Sequence, residues 1–192
     1  MYKQDLRVYF LLTVVAFLQA CAAVVITGGA TGMSVATDKR TTGTVIEDQA
    51  IELKALKAFA DNKDISEKAH LNVTSYNTVV LVTGETPDVA LRQQAIDIVS
   101  GIQRVSQVHN EITIAAPSSL ISRSSDSLIT SKVKTRLLAE KNVSSLSIKV
   151  VTDKGVVYLM GIVSRQEAET ATELARQIGG VQKVVMLFEY PD

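Results

Sequence analysis

The chain has 192 residues, of which 46% are hydrophobic and 21% charged, an ordinary globular composition that excludes disordered or collagen-like organisation. Twenty basic residues balance twenty acidic ones, so no global positive field points to nucleic acid. A single cysteine excludes a disulfide framework or a cysteine metal cluster, and two histidines leave little for histidine-based catalysis.

The N-terminus separates first. Lys3 and Arg7 precede an apolar run of 11 residues, Val8 to Leu18, the length of a signal-peptide core rather than of a membrane span. The run ends in Leu18-Gln19-Ala20-Cys21, which resembles a bacterial lipobox. Its chemistry needs a thiol to take the diacylglyceryl group and a small residue at the cleaved bond. Residues 1–20 are therefore expected to be a lipoprotein signal peptide, with Cys21 as the lipid attachment site. Ala22, rather than an aspartate, follows the cysteine, so sorting to the outer membrane is expected. The alternative is a membrane-spanning anchor over Val8–Ile26, 19 residues long, which has no basic stop signal until Lys39. Residues 21–47, with their glycines and threonines, read as a flexible lipidated tether.

Beyond the tether the chain repeats itself at a spacing of 77–79 residues. Val79–Gly84 aligns with Val156–Gly161, Gly101–Val105 with Gly180–Val184, and Ile51, Ala55 and Phe59 with Ile129, Val133 and Leu137. Each copy reads helix, strand, strand, helix, strand. The first helix is expected to start at an aspartate N-cap, Asp48 or Asp126. Leu146, Ile148 and Val150 alternate as in a half-buried strand, and Val156–Met160 is a continuous apolar run. Gly84 and Gly161 are expected to break their strands. Ala168, Ala171, Ala175 and Ile178 form a small-residue stripe on the second helix, which Gly179-Gly180 would terminate. The last strand runs over Val184–Tyr190. The fold class is α+β: two tandem αββαβ domains, 48–115 and 126–192, each a three-stranded sheet packed against two helices. A serine-rich linker, 116–125, joins them.

This order, the V-V-x-L-x-G strand ending and the G-V/I-x-K/R-V entry into the last strand resemble the BON domain. The lipobox, tether and paired domains together resemble the dual-BON outer-membrane lipoproteins. The resemblance implies a periplasm-facing lipoprotein of the outer membrane that binds anionic, phosphatidylglycerol-like phospholipid through its second BON domain. It further implies accumulation at division sites and support of outer-membrane integrity.

No catalytic or metal constellation is present in the sequence, and no cofactor is implied. His70 and His109 fall on different strands without ligands at metal spacing. The informative segment is Asp126–Leu138. On a helix, Ile129, Val133 and Leu137 form the core stripe, while Leu128 and Leu138 face outward with Ser131 and Thr135 between them. Lys132 flanks this face on one side, Lys134 and Lys141 on the other. Leucines bordered by lysines suit an anionic membrane surface. In the first copy Ala50 and Ala60 replace the leucines. Residues 48–115 carry six basic and nine acidic groups, against nine and eight in 126–192. The related lipoproteins tend to carry an aromatic where this chain has Leu128. Two other readings stay open: that Leu128 and Leu138 pack on the first domain or the linker, and that the domains form a scaffold for envelope-assembly or secretion proteins.

Overall fold

The computed structural model describes residues 38–116 and 119–191, which lie within one compact unit. The calls on the signal peptide, on Cys21 and on the tether up to Thr37 fall outside these residues. The first copy comprises α1 (Thr42–Asp61), α2 (Lys63–Lys68), β1 (His70–Tyr76), β2 (Val79–Thr86), α3 (Val89–Ser100) and β3 (Gln107–Ile114). The second comprises α4 (Leu120–Ala139), a 3-10 turn (Ser145–Ser147), β4 (Ile148–Asp153), β5 (Val156–Ile162), α5 (Arg165–Arg176) and β6 (Lys183–Glu189). In each sheet the middle strand, β2 or β5, pairs antiparallel with its hairpin partner and parallel with the last strand. Parallel pairing needs a crossover, which α3 and α5 supply. The expected α+β fold is observed, with α2 as an addition. Asn62 accepts from the Ile65 amide at 3.1 Å, and Ile65 is buried, which suffices to nucleate this short extra turn.

The helices start earlier than the sequence reading placed them. Thr41 and Ser119 are the N-caps, so Thr42–Glu47 of the supposed tether and most of the serine-rich linker are helical. Serines here tolerate this because their hydroxyls donate back to carbonyls one turn earlier, Ser125 of the linker to Ile121 and Ser127 just after it to Arg123. Asp48 and Asp126 therefore lie inside their helices, buried, and do a different job. Asp48 accepts the amides of Asn77 and Thr78, each at 2.8 Å, and Asp126 accepts those of Lys154 and Gly155 at 2.9 and 2.8 Å. Both residues of each hairpin turn have positive φ, the geometry of a type I′ turn, and a helix carboxylate satisfies their inward-pointing amides.

Gly84 and Gly161 do not end their strands, which continue to Thr86 and Ile162. A Cβ on Gly84 would lie 1.9 Å from the His70 carbonyl oxygen, and one on Gly161 2.3 Å from that of Ser147. They are glycines because the backbone of the hairpin partner β1, or of the turn leading into β4, passes too close for a side chain. The small-residue stripe of α5 is buried, but the helix stops at Arg176, and Ile178 packs on the core from the following turn. Gly179-Gly180 thus lies in that turn rather than at the cap. Leu146 sits in the 3-10 turn, exposed; Ile148 and Val150 are buried as expected.

Each sheet carries its helices on one face, over separate cores built on Ile51, Ala55, Val80 and Val82, and on Val133, Leu137, Val157 and Leu159. The free faces of the two sheets pack on each other. Tyr76 and Leu81 meet Tyr158 and Met160, ringed by Val79, Val151, Val185 and Leu187. Strands β2 and β5 are consequently buried on both faces.

Candidate functional site

The outer face of α4 is the surface singled out by sequence. Ile129, Val133 and Leu137 are buried in the second core, which turns Leu128 and Leu138 to solvent at 62% and 64% exposure. Most of each side chain is thus open to solvent and not covered by the first domain. Lys132, Lys134, Arg136 and Lys141 are exposed, and none of them is in an ion pair among the described residues. The one carboxylate of the helix, Asp126, is buried and engaged by the hairpin amides. Ser131 and Thr135 are exposed on the same face, but their hydroxyls donate to the Ser127 and Ser131 carbonyls, each at 2.9 Å. They offer an anion no free hydroxyl hydrogen in this arrangement.

Two apolar residues of this surface escaped the sequence reading. Ile121, assigned to the linker, is 81% exposed and lies seven residues before Leu128 on the same helix face. Leu146, assigned to a strand, is 54% exposed and shares with Lys134 and Leu138 a hollow of about 210 Å³. The i, i+7 spacing of Ile121 and Leu128 was the signal for the first; nothing local marked the second.

The equivalent helix of the first copy is not bare. Ile46, Leu53 and Leu56 are exposed on α1, so apolar residues alone do not distinguish the copies. Charge does. On α1, Glu47, Glu52 and Asp61 accompany the lysines, and Lys57 is engaged by Asp61 at 2.6 Å.

The residues before α1 tie the two copies together. Arg40 donates to Asp38 at 2.7 Å and Asp48 at 2.8 Å and stacks 4.0 Å over the Tyr76 ring. The Tyr76 hydroxyl donates to the Ser147 carbonyl of the second copy at 3.0 Å; burial, then Asp38, pushes this phenol up to about 12, so it stays a donor. Lys39 pairs with Glu167 at 3.3 Å. Across the seam, Lys149 meets Glu52 at 2.7 Å and Lys154 meets the fully buried Glu85 at 2.9 Å. His70 lies on β1 with its Nε2 3.4 Å from Arg123, and His109 on β3, as the sequence placed them. No group of three potential ligands is arranged to hold a metal among the described residues, and none of their helices is long and apolar enough to cross a membrane.

Two duplicated sheet-and-helix units of this topology define a tandem α+β module, and the BON-domain family model matches residues 47–116 and 125–192. The chain belongs to the BON family, as a dual-BON protein. It is 37% identical, over 97% of its length and 96% of the relative's, to the outer membrane lipoprotein DolP of Haemophilus influenzae. It is 33% identical to a 21 kDa hemolysin of Actinobacillus pleuropneumoniae over 80% of this chain and 79% of that one. With the osmotically-inducible protein Y of Escherichia coli it shares 29% identity over 82% and 80% of the two chains.

Proposed function

We propose that this chain is a lipid-anchored lipoprotein on the periplasmic face of the outer membrane that binds anionic phospholipid through the outer face of α4. It supports outer-membrane integrity, at division sites in particular, and is not an enzyme. The observation that carries the reading is a helix face with protruding leucines, three exposed cations at its borders (Lys132, Lys134 and Arg136) and the helix's one carboxylate turned inward. The name of the DolP relative supports the location, and the Leu18–Cys21 motif supports the anchor.

Magnitudes divide the labour. Partial burial of Leu128 and Leu138 offers at most ~3–6 kcal/mol, and each lysine near an anionic surface adds ~1 kcal/mol. Acyl chains on Cys21, at ~0.8 kcal/mol per buried CH₂, exceed both. The anchor holds the protein on a membrane, and α4 selects the lipid. Leu128→Glu and Lys134→Glu are expected to weaken co-sedimentation with phosphatidylglycerol vesicles while the circular dichroism is unchanged, and Ala50→Glu to leave it intact. Added salt should weaken binding, since exposed charges are screened within about 8 Å at physiological ionic strength. A folded Leu128→Glu protein that sediments like wild type would sink the reading. The scaffold reading is favoured by the exposed Ile46, Leu53 and Leu56 of α1; it gains if Leu53→Glu, and not Leu128→Glu, removes function in cells.

A further inference from the structure

The duplication gives the seam between the domains two equivalent ends, and they are filled differently. Matching the hairpin-binding carboxylates and the turns they hold sets Asp48 against Asp126, Tyr76 against Asp153, Glu52 against Thr130 and Lys149 against Asn72. At the first end Tyr76, Glu52 and Lys149 are large, and Arg40 closes the space over them. At the other end Asp153, Thr130 and Asn72 are all smaller, and a cleft of about 670 Å³ stands open, walled on one side by Arg123 and His70.

We propose that this cleft takes the guanidinium or ammonium side chain of a basic peptide segment, held on Asp126 and Asp153 as Arg40 is held on Asp48. Asp48 Oδ2 accepts one hairpin amide and the Arg40 guanidinium; Asp126 Oδ2 accepts one hairpin amide, from Lys154, and Asp126 lines the cleft. Asp153 brings a second carboxylate where the first end has an aromatic ring. Burial, and then the neighbouring Glu85 and Asp126, raise its carboxyl above the ordinary range, so an added cation relieves the site. The cations near it are Arg123, one turn before Asp126 on α4 and lining the same cleft, and Lys154, whose ammonium is directed to Glu85. A peptide side chain fits better than a small cation because the cation that fills the first end, Arg40, is itself carried on a bend of chain laid over the site, and Asn72 lines the cleft with an amide that can pair with a backbone, beside the Thr130 hydroxyl that donates to Thr152 at 2.7 Å.

The test is a ¹H–¹⁵N titration of the full chain in zwitterionic micelles with acetyl-Lys-Arg-Thr-amide, which copies residues 39–41. Saturable shifts are expected at the Lys154 and Gly155 amides. They should be absent with the Lys-to-Gln, Arg-to-Gln form of the peptide, and absent in Asp153→Tyr, which rebuilds the bulk of Tyr76. Asp153→Asn should weaken binding by about tenfold or more, the worth of one charge-assisted hydrogen bond. Unmoved Asn77 and Thr78 amides report that each variant is folded. The proposal is overturned if no saturable shift occurs, if the uncharged peptide binds equally, or if the shifts fall at Asn77 and Thr78. It is overturned equally if sn-glycerol 1-phosphate, seated on Arg123 and His70, moves the Lys154 and Gly155 amides and the peptide does not.

Discussion

Asp48 shows how much one buried carboxylate can organise. It accepts from the Ser75 hydroxyl, two turn amides and Arg40, so it joins a helix, a hairpin and the segment leading in from the N-terminus. The turn it holds is strained, because Thr78 is a β-branched residue at φ 67°. The left-handed region costs such a residue about 1–2 kcal/mol. The second copy has Gly155 at the same place, at φ 74°, without that cost. Thr78→Gly is therefore expected to stabilise the protein by about 1 kcal/mol, after allowing for the greater entropy of glycine in the unfolded chain. Thermal denaturation reads it; an unchanged or lower midpoint would refute the account of this turn.

At the scale of elements, α5 is fixed at its start by a capping box. The Ser164 hydroxyl accepts the Glu167 amide, and the Glu167 carboxylate accepts the Ser164 amide, the Ser144 amide and Lys39. Burial alone would raise this carboxyl, but the hydrogen bonds from Ser144 and Ser164 outweigh it and hold it at about 2. A folded-state value below the unfolded one stabilises the protein above the ordinary carboxylate range. That contribution is lost as pH falls through this range toward about 2. Glu167→Gln should lower stability at neutral pH and flatten the acid limb of the stability curve between about pH 4.5 and 2, measured by urea denaturation across pH. A variant with the wild-type acid limb would show that the cap carries none of it. The outer face of α4 differs, since Lys132 and Lys134 are in no ion pair among the described residues, and in the proposed function they meet anionic phospholipid.

At the scale of the described unit, the two sheets share an apolar seam that contains the buried Glu85, paired with Lys154, whose side chain is one-third exposed. Removing one partner of a fully buried pair costs about 3–5 kcal/mol, whereas replacing both by apolar groups is often neutral. Lys154→Met strands the Glu85 carboxylate but removes a partly solvated cation, so it is expected to lose less than that, about 1–3 kcal/mol, and Glu85→Met/Lys154→Met to recover most of it, with both domains unfolding in one transition because the seam is common to both. Two separate transitions in the wild type would refute the coupling. The seam also explains why β2 and β5 read as continuous apolar runs: each is covered by helices on one face and by the other sheet on the opposite face.

The sequence by itself determined the duplication, the element order, the core stripes and the outward direction of Leu128 and Leu138, because periodicities of 3.6 and 2 are set by local backbone geometry. It misplaced the helix starts, because serines and threonines favour caps and turns until their hydroxyls find carbonyls within the helix, as those of Ser125 and Ser127 do. It took Gly84 and Gly161 for strand ends, because a close approach by a partner strand leaves no local trace. The pairing of Asp48 and Asp126 with distant hairpin amides, the exposure of Leu146 beside Leu138, and the open cleft beside Asp153 were decided by tertiary structure alone. Each depends on which separate elements meet, and side-chain pattern in one segment carries no information about its partner.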